Sequence, residues 1–121
     1  MATTSSDAGW TVVEFERVRG EYPVLIFLGE LDGRNANDAV VLLEQLAARG
    51  NMLREPRSAP VDRNLFELRG HQVRIFYCFC PGHVIVLLDG TIKKQDKIGR
   101  DVLARIRSYR DEVERRGPRA P

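Results

Sequence analysis

The chain has 121 residues, 43% of them apolar and 30% charged, with a formal net charge of +2. That is enough chain to bury one hydrophobic core and too little for two, so a single domain is expected. No apolar run approaches the roughly 20 residues of a membrane span, and residues 1–9 (MATTSSDAG) lack a signal-like apolar segment, so a cytoplasmic protein without membrane contact is expected.

The small net charge hides an uneven division. Residues 1–60 carry six Lys/Arg against nine Asp/Glu, whereas residues 61–121 carry thirteen against eight. A basic second half points to a polyanionic partner such as RNA or DNA, with an ordinary solvated basic surface as the plainer alternative. Cys78 and Cys80 stand two apart in a strand-like run, so they share a face and do not pair with each other; they read as reduced core residues. With no C-x-x-C or H-x-x-x-H spacing, no metal or other cofactor is expected.

Residues 1–9 have no apolar period and are expected to be flexible. Trp10 to Arg17 alternates in the manner of an edge strand buried mostly on one side. In EYPVLIFLGELDG the continuous apolar run Val24–Leu28 fits either helix or strand. Helix is favoured, because Pro23 suits a first helical turn, Val24, Phe27, Leu28 and Leu31 fall on one stripe, and Asp32-Gly33 supplies a stop. A second helix follows, with Asn35 as cap, an apolar stripe from Ala36 through Leu43 to Ala47, and Gly50 as terminator. The two helices are expected to form an antiparallel hairpin.

Residues 51–64, with two prolines and mixed charge, read as a connector whose Arg54, Arg57 and Arg63 are solvated. From Leu65 to Lys97, three β-rich runs broken at Gly70-His71-Gln72 and Pro81-Gly82-His83 read as a three-strand antiparallel meander. Asp89-Gly90 is placed at the end of its third strand, where Asp89 is positioned to orient a Lys or Arg, because Thr91 to Gln95 is too short and too charged for a buried strand. Ile98 to Arg116 reads as a last helix ended by Gly117-Pro118, and residues 117–121 as a flexible tail. The expected fold is therefore α+β: an N-terminal edge strand, a two-helix hairpin, a meander completing a four-strand sheet, and a C-terminal helix, all within residues 10–116. Its helices are expected on one sheet face, leaving the other as an open platform.

The meander gathers cations. Arg69 and Arg74 flank a tight turn, and Lys93, Lys94 and Lys97 arrive as the third strand ends. Such a cluster stabilises charge. RNA carries its own nucleophile, the 2′-OH, so cleavage needs mainly in-line positioning and cations around the phosphorane oxygens. A desolvated Lys would serve as base, and Tyr77 or Tyr109 would protonate the departing 5′-oxygen. Each residue also has a plainer reading. Arg69 pairs with Glu67 on its own strand face, Arg74 stacks on neighbouring aromatics, Tyr77 is a core aromatic, Lys93 and Lys94 face opposite ways, and His71 and His83 sit in exposed turns.

The ordered set of segments resembles the RelE/ParE superfamily of bacterial toxins, in the HigB-like, phage-derived branch of type II toxin-antitoxin proteins. Phe66-Glu67-Leu68-Arg69 is similar to that family's WELR strand, Val73-Arg74-Ile75-Phe76-Tyr77 to its YRIFY strand, and Val86-Leu87-Leu88 with Gly90 and Ile92-Lys93-Lys94 to LLHGFVKK; Ala104 and Arg107 recur on the last helix. Phe66 stands for the usual Trp, Asp89 where His is common, and Thr91 for the usual Phe. The resemblance implies a ribosome-dependent mRNA endoribonuclease that takes the A-site codon as substrate without a metal. It also implies inhibition by a cognate antitoxin, commonly of helix-turn-helix type. Arg69, Arg74, Lys93 and Lys94 become the catalytic candidates, and Lys97, Arg107, Tyr77 and Tyr109 the RNA-binding ones. Two other functions remain open on the same fold: a non-enzymatic, ParE-like inhibitor of DNA gyrase, and a catalytically silent binding module.

Overall fold

The computed structural model describes residues 9–121 and the backbone of Thr4–Ser5. In chain order the elements are β1 (Thr4–Ser5), β2 (Thr11–Glu14), α1 (Pro23–Gly29), α2 (Gly33–Arg49), a 3-10 turn Gly50–Met52, β3 (Ser58–Asp62), β4 (Leu65–Arg69), β5 (Val73–Cys80), β6 (Val84–Ile92) and α3 (Arg100–Arg116). Among the described residues, six strands join one sheet in the order β1-β2-β6-β5-β4-β3. β2 runs parallel to β6, and the other pairs are antiparallel. The α+β class and the meander are those expected.

The sheet is wider than expected, and both faces are covered. The run Ser58–Asp62, expected as connector, pairs with β4 from Ser58↔Leu68 to Asp62↔Leu65. Pro60 disguised it: a proline has no N–H for a ladder, and an edge strand is where a sheet tolerates one. β2, expected at an edge, lies between β1 and β6. Its Val12 joins the core under α1 and α2, and Val13 and Phe15 join the core under α3.

The helices divide in the same way. Val24 and Phe27 of α1 and Leu42 and Leu46 of α2 pack on Leu68, Val73, Ile75, Tyr77 and Leu87. On the other face, Ile106 and Val113 of α3 pack on Leu65, Phe76, Cys78, Val86 and Leu88. No open platform exists among the described residues. The physical reason is legible in Ile75–Cys78 and Ile85–Leu88, which are apolar at both parities, as a strand buried on both sides must be.

α2 starts at Gly33 with Asp32 as the flanking residue and no side-chain cap, so Asn35 is not the cap expected of it. Its Nδ2 donates instead to Gln72 Oε1 at 3.4 Å. The tail is not loose. Glu16 N donates to Pro118 O at 2.8 Å, Ala120 N to Glu16 Oε1 at 3.0 Å, and Arg116 Nη2 to Glu16 O at 2.8 Å. The flexibility expected of residues 1–9 falls largely outside the described residues, although Thr4–Ser5 pairs antiparallel with β2.

One irregularity sets up the site. β6 does not end at Asp89-Gly90 but pairs with β5 out to Val73↔Ile92, with a bulge where Phe76↔Asp89 is followed by Tyr77↔Leu87. Leu88 is the extra residue, so Leu88 and Asp89 both face α3 and the alternation beyond them is displaced by one. Thr91 therefore comes opposite Arg74. Gly90 comes beneath Phe27, whose ring carbon would lie only 2.2 Å from any Cβ added there. Only glycine fits that approach.

Candidate nucleic-acid cleft

A cleft of about 470 Å³ opens on the α3 side of the sheet, where β4 ends, β5 begins and β6 gives way to the segment leading into α3. It is lined by Glu67, Arg69, Arg74, Thr91, the run Ile92–Gly99 and Val102. Five cations expected to converge (Arg69, Arg74, Lys93, Lys94 and Lys97) line it together, with Glu67 and Asp96 as its carboxylates. Both Lys93 and Lys94 take part because the strand stops at Ile92, so they are no longer bound to alternate across a sheet. Lys93 N donates to Gln72 O at 2.6 Å, tying the start of this segment to the β4–β5 turn.

The register explains the arginines. Arg69 and Arg74 are directly paired across β4 and β5. Arg69 Nε donates to Glu67 Oε2 at 2.9 Å, and its Nη1 lies 3.5 Å from Glu55 Oε1. Arg74 Nη1 donates to the carbonyls of Gly70 and Val73 at 2.8 and 3.0 Å, and its Nε is 4.0 Å from Glu67 Oε1. Lys93 Nζ is 3.7 Å from Asp96, which is fully exposed, and neither Lys94 nor Lys97 has an ion-pair partner among the described residues. Ile98, Gly99 and Val102 bring the start of α3 to the cleft wall, where unpaired amides and the helix dipole favour an anion. Cations so placed can chemically hold and neutralise an anion.

The other predicted residues lie elsewhere. Tyr77 points into the layer under α1 and α2, is 1% exposed, and shares a 2.6 Å hydrogen bond with Ser58 Oγ; burial pushes its hydroxyl pKa up. It is a core residue and not an RNA contact, because its strand parity is opposite to that of Arg74. Tyr109 packs on Phe15 at 4.9 Å between ring centroids. It lines a separate groove with Phe27, Asp89 and Arg105, its hydroxyl pKa pushed up by burial and then by the Asp89 charge. Arg107 donates to Asp62 Oδ2 at 2.8 Å on the far stretch of α3, outside the cleft.

Asp89 does orient an arginine, accepting from Arg105 Nε at 2.9 Å, but does so from inside β6. Burial pushes the Cys78 thiol up to about 12 and raises that of Cys80, as suits core thiols. His83 stacks on Trp10 at 4.7 Å, and His71 remains exposed in its turn. Sequence reasoning named Glu67 only as a plain partner for Arg69 and passed over its place between two arginines. The signal was available: residues 67 and 69 share a strand face, and Arg74 falls opposite once the turn is placed.

An α+β sheet with a cationic cleft is the arrangement expected from the resemblance to RelE-like toxins. The chain belongs to the family described as Phage derived protein Gp49-like (DUF891), whose model matches residues 27–111. No curated protein matches the chain in sequence. Among solved structures it is similar to a chain of the toxin-antitoxin complex RelBE2 from Mycobacterium tuberculosis. That match has 18% identity and a TM-score of 0.45, covering 76% of this chain and all of the other.

Proposed function

We propose that the chain is the toxin of a toxin-antitoxin pair and cleaves mRNA on the ribosome, without a metal, by attack of the 2′-OH on the adjacent phosphodiester. The observation that carries this reading is the meeting of Arg69, Arg74, Lys93, Lys94 and Lys97 in one cleft beside the start of α3. In the step itself the O2′–P bond forms as the P–O5′ bond breaks, the 2′ proton leaves for a base, and the 5′-oxygen takes up a proton. The products are a 2′,3′-cyclic phosphate and a free 5′-OH. The two arginines and the lysines offset the charge that grows on the non-bridging oxygens, where donors fixed in advance are worth most.

The partners follow from that chemistry: mRNA in the ribosomal A site as substrate, and an antitoxin, expected to carry a helix-turn-helix, as inhibitor. A ribosomal substrate implies action in the cytoplasm. Among the described residues no helix is long and apolar enough to cross a membrane.

Mapping mRNA ends on programmed ribosomes tests the proposal. Cuts within the A-site codon are expected, with cyclic-phosphate ends. Replacing Arg69 and Arg74 together by Ala should lower the rate by roughly 10²–10³-fold, the scale of losing preorganised donors at a developing oxyanion. Intact mRNA in arrested cells, with failing DNA supercoiling, would overturn it.

A further inference from the structure

Glu67 is the anomaly of the cleft. It is a carboxylate, 7% exposed, in a site whose use is to attract negative charge. Burial of a carboxylate is tolerated when it is paired and hydrogen-bonded, and here the partners are the two arginines themselves. Oε2 accepts from Arg69 Nε at 2.9 Å, and Oε1 lies 4.0 Å from Arg74 Nε. Carbonyls of Gly70 and Val73 take Arg74 Nη1, and Glu55 lies by Arg69 Nη1. The Nη2 group of each guanidinium is left without a hydrogen-bond partner among the described residues.

We propose that Glu67 is a positioning residue, which holds the guanidinium groups of Arg69 and Arg74 so that their Nη2 donors together meet the oxygens of one phosphodiester. The inference rests on the RNA-cleaving reading of this cleft. The backbone supplies the alignment: Glu67 and Arg69 share a face of β4, and Arg74 is the direct partner of Arg69 on β5. One carboxylate thus reaches both side chains. Both of its oxygens lie against guanidinium nitrogens, which argues against a role as the base that takes the 2′ proton. Its negative charge opposes RNA binding, so its contribution is to alignment; a displacement of about 1 Å costs on the order of 10²-fold in rate.

The test compares the wild-type protein with Glu67→Ala and Glu67→Gln in four measurements. These are cleavage on programmed ribosomes, affinity for a short RNA blocked by 2′-O-methyl at the scissile nucleotide, the Nε–H NMR signals of Arg69 and Arg74, and the melting temperature. Glu67→Ala should lower kcat by roughly 10–100-fold with KM unchanged or lower, and the two arginine signals should lose their separate, ordered positions. Glu67→Gln, whose amide oxygen still accepts from Arg69 Nε, should recover most of kcat.

Undiminished kcat in Glu67→Ala would overturn the proposal. So would equal loss in both variants with the arginine signals undisturbed, which would mark proton transfer instead, or a loss that merely follows a lowered melting temperature. Should the wild-type protein leave mRNA intact, the cleavage reading fails, and the blocked RNA still decides this one. Perturbation of both arginine signals by that RNA in the wild type, but not in Glu67→Ala, supports positioning; equal perturbation in both sinks it.

Discussion

Two regions of this protein are rich in arginine, and they are built on opposite principles. At the junction of β3, β4 and α3, Arg63, Arg107 and Arg110 meet Asp62, Asp111 and Glu114, with contacts of 2.8 Å for Arg63–Glu114, 2.8 Å for Arg107–Asp62 and 3.0 Å for Arg110–Asp62. Charges there are matched one for one. In the cleft, five cations face two lining carboxylates, one of them on a fully exposed side chain, and the exposed Glu55, 3.5 Å from Arg69. The first cluster spends its charge inside the molecule, tying helix to sheet. The second leaves charge over, as the proposed RNA-binding role requires.

The largest expected contrast comes from stripping the cleft. Replacing Lys93, Lys94 and Lys97 together by Ala should cut RNA cleavage by about 10²-fold or more and reduce the salt dependence of RNA affinity by about 2 in log–log slope. The melting temperature should stay put, since these lysines support no packing. Unchanged salt dependence would mean that the surplus charge meets solvent only.

Arg110→Ala should do the reverse. Its side chain is 7% exposed and bonds both Asp62 and the Arg63 carbonyl, the latter at 2.6 Å. Its loss should cost about 2 kcal/mol, a fall of about 8 °C in melting temperature, without lowering kcat in the protein that remains folded.

Acid separates the regions next. Asp62 is held at about 2 by the Arg63 amide first and then by Arg110 and Arg107, and Glu114 at about 2 by Arg63 and then Asn64. Both carboxyl groups are depressed below their unfolded values near 4. The stability they add is therefore complete above about pH 5 and lost as the pH falls from about 4 to 2. Thermal melts across that range should show it, and Asp62→Asn with Glu114→Gln should flatten the slope. The smallest effect belongs to Arg107→Ala, a half-exposed pair. It should move the melting temperature by no more than about 2 °C and leave cleavage alone; a large loss of cleavage would return Arg107 to the site.

What the sequence revealed follows from the range over which each cause acts. The meander, the two long helices and the five cations were legible because strand parity, helical stripe and turn residues act over a few positions. Two features were not. The parallel pairing of β2 with β6 joins residues some seventy positions apart, as in Val13↔Val86, and no local pattern encodes it. Ser58–Asp62 carries a proline that, read locally, denies a strand. The site itself was half legible: Arg69 and Arg74 could be set face to face from parity, whereas Tyr77 was misplaced because its parity was not carried across the sheet to the side opposite Arg74. The bulge at Leu88 is what puts Thr91 in the cleft, and a strict two-residue period would have sent it under α1.

That same bulge gives β6 a spare residue. A chain shortened by one at Leu88 would keep Asp89 against Phe76, Thr91 against Arg74 and the glycine under Phe27, and would forfeit only one leucine's packing. A single residue lost between Asp89 and Ile92 has no such slack, and would exchange oily and charged positions over the end of the strand. Length variation among relatives should therefore be tolerated at this one joint and refused just beyond it.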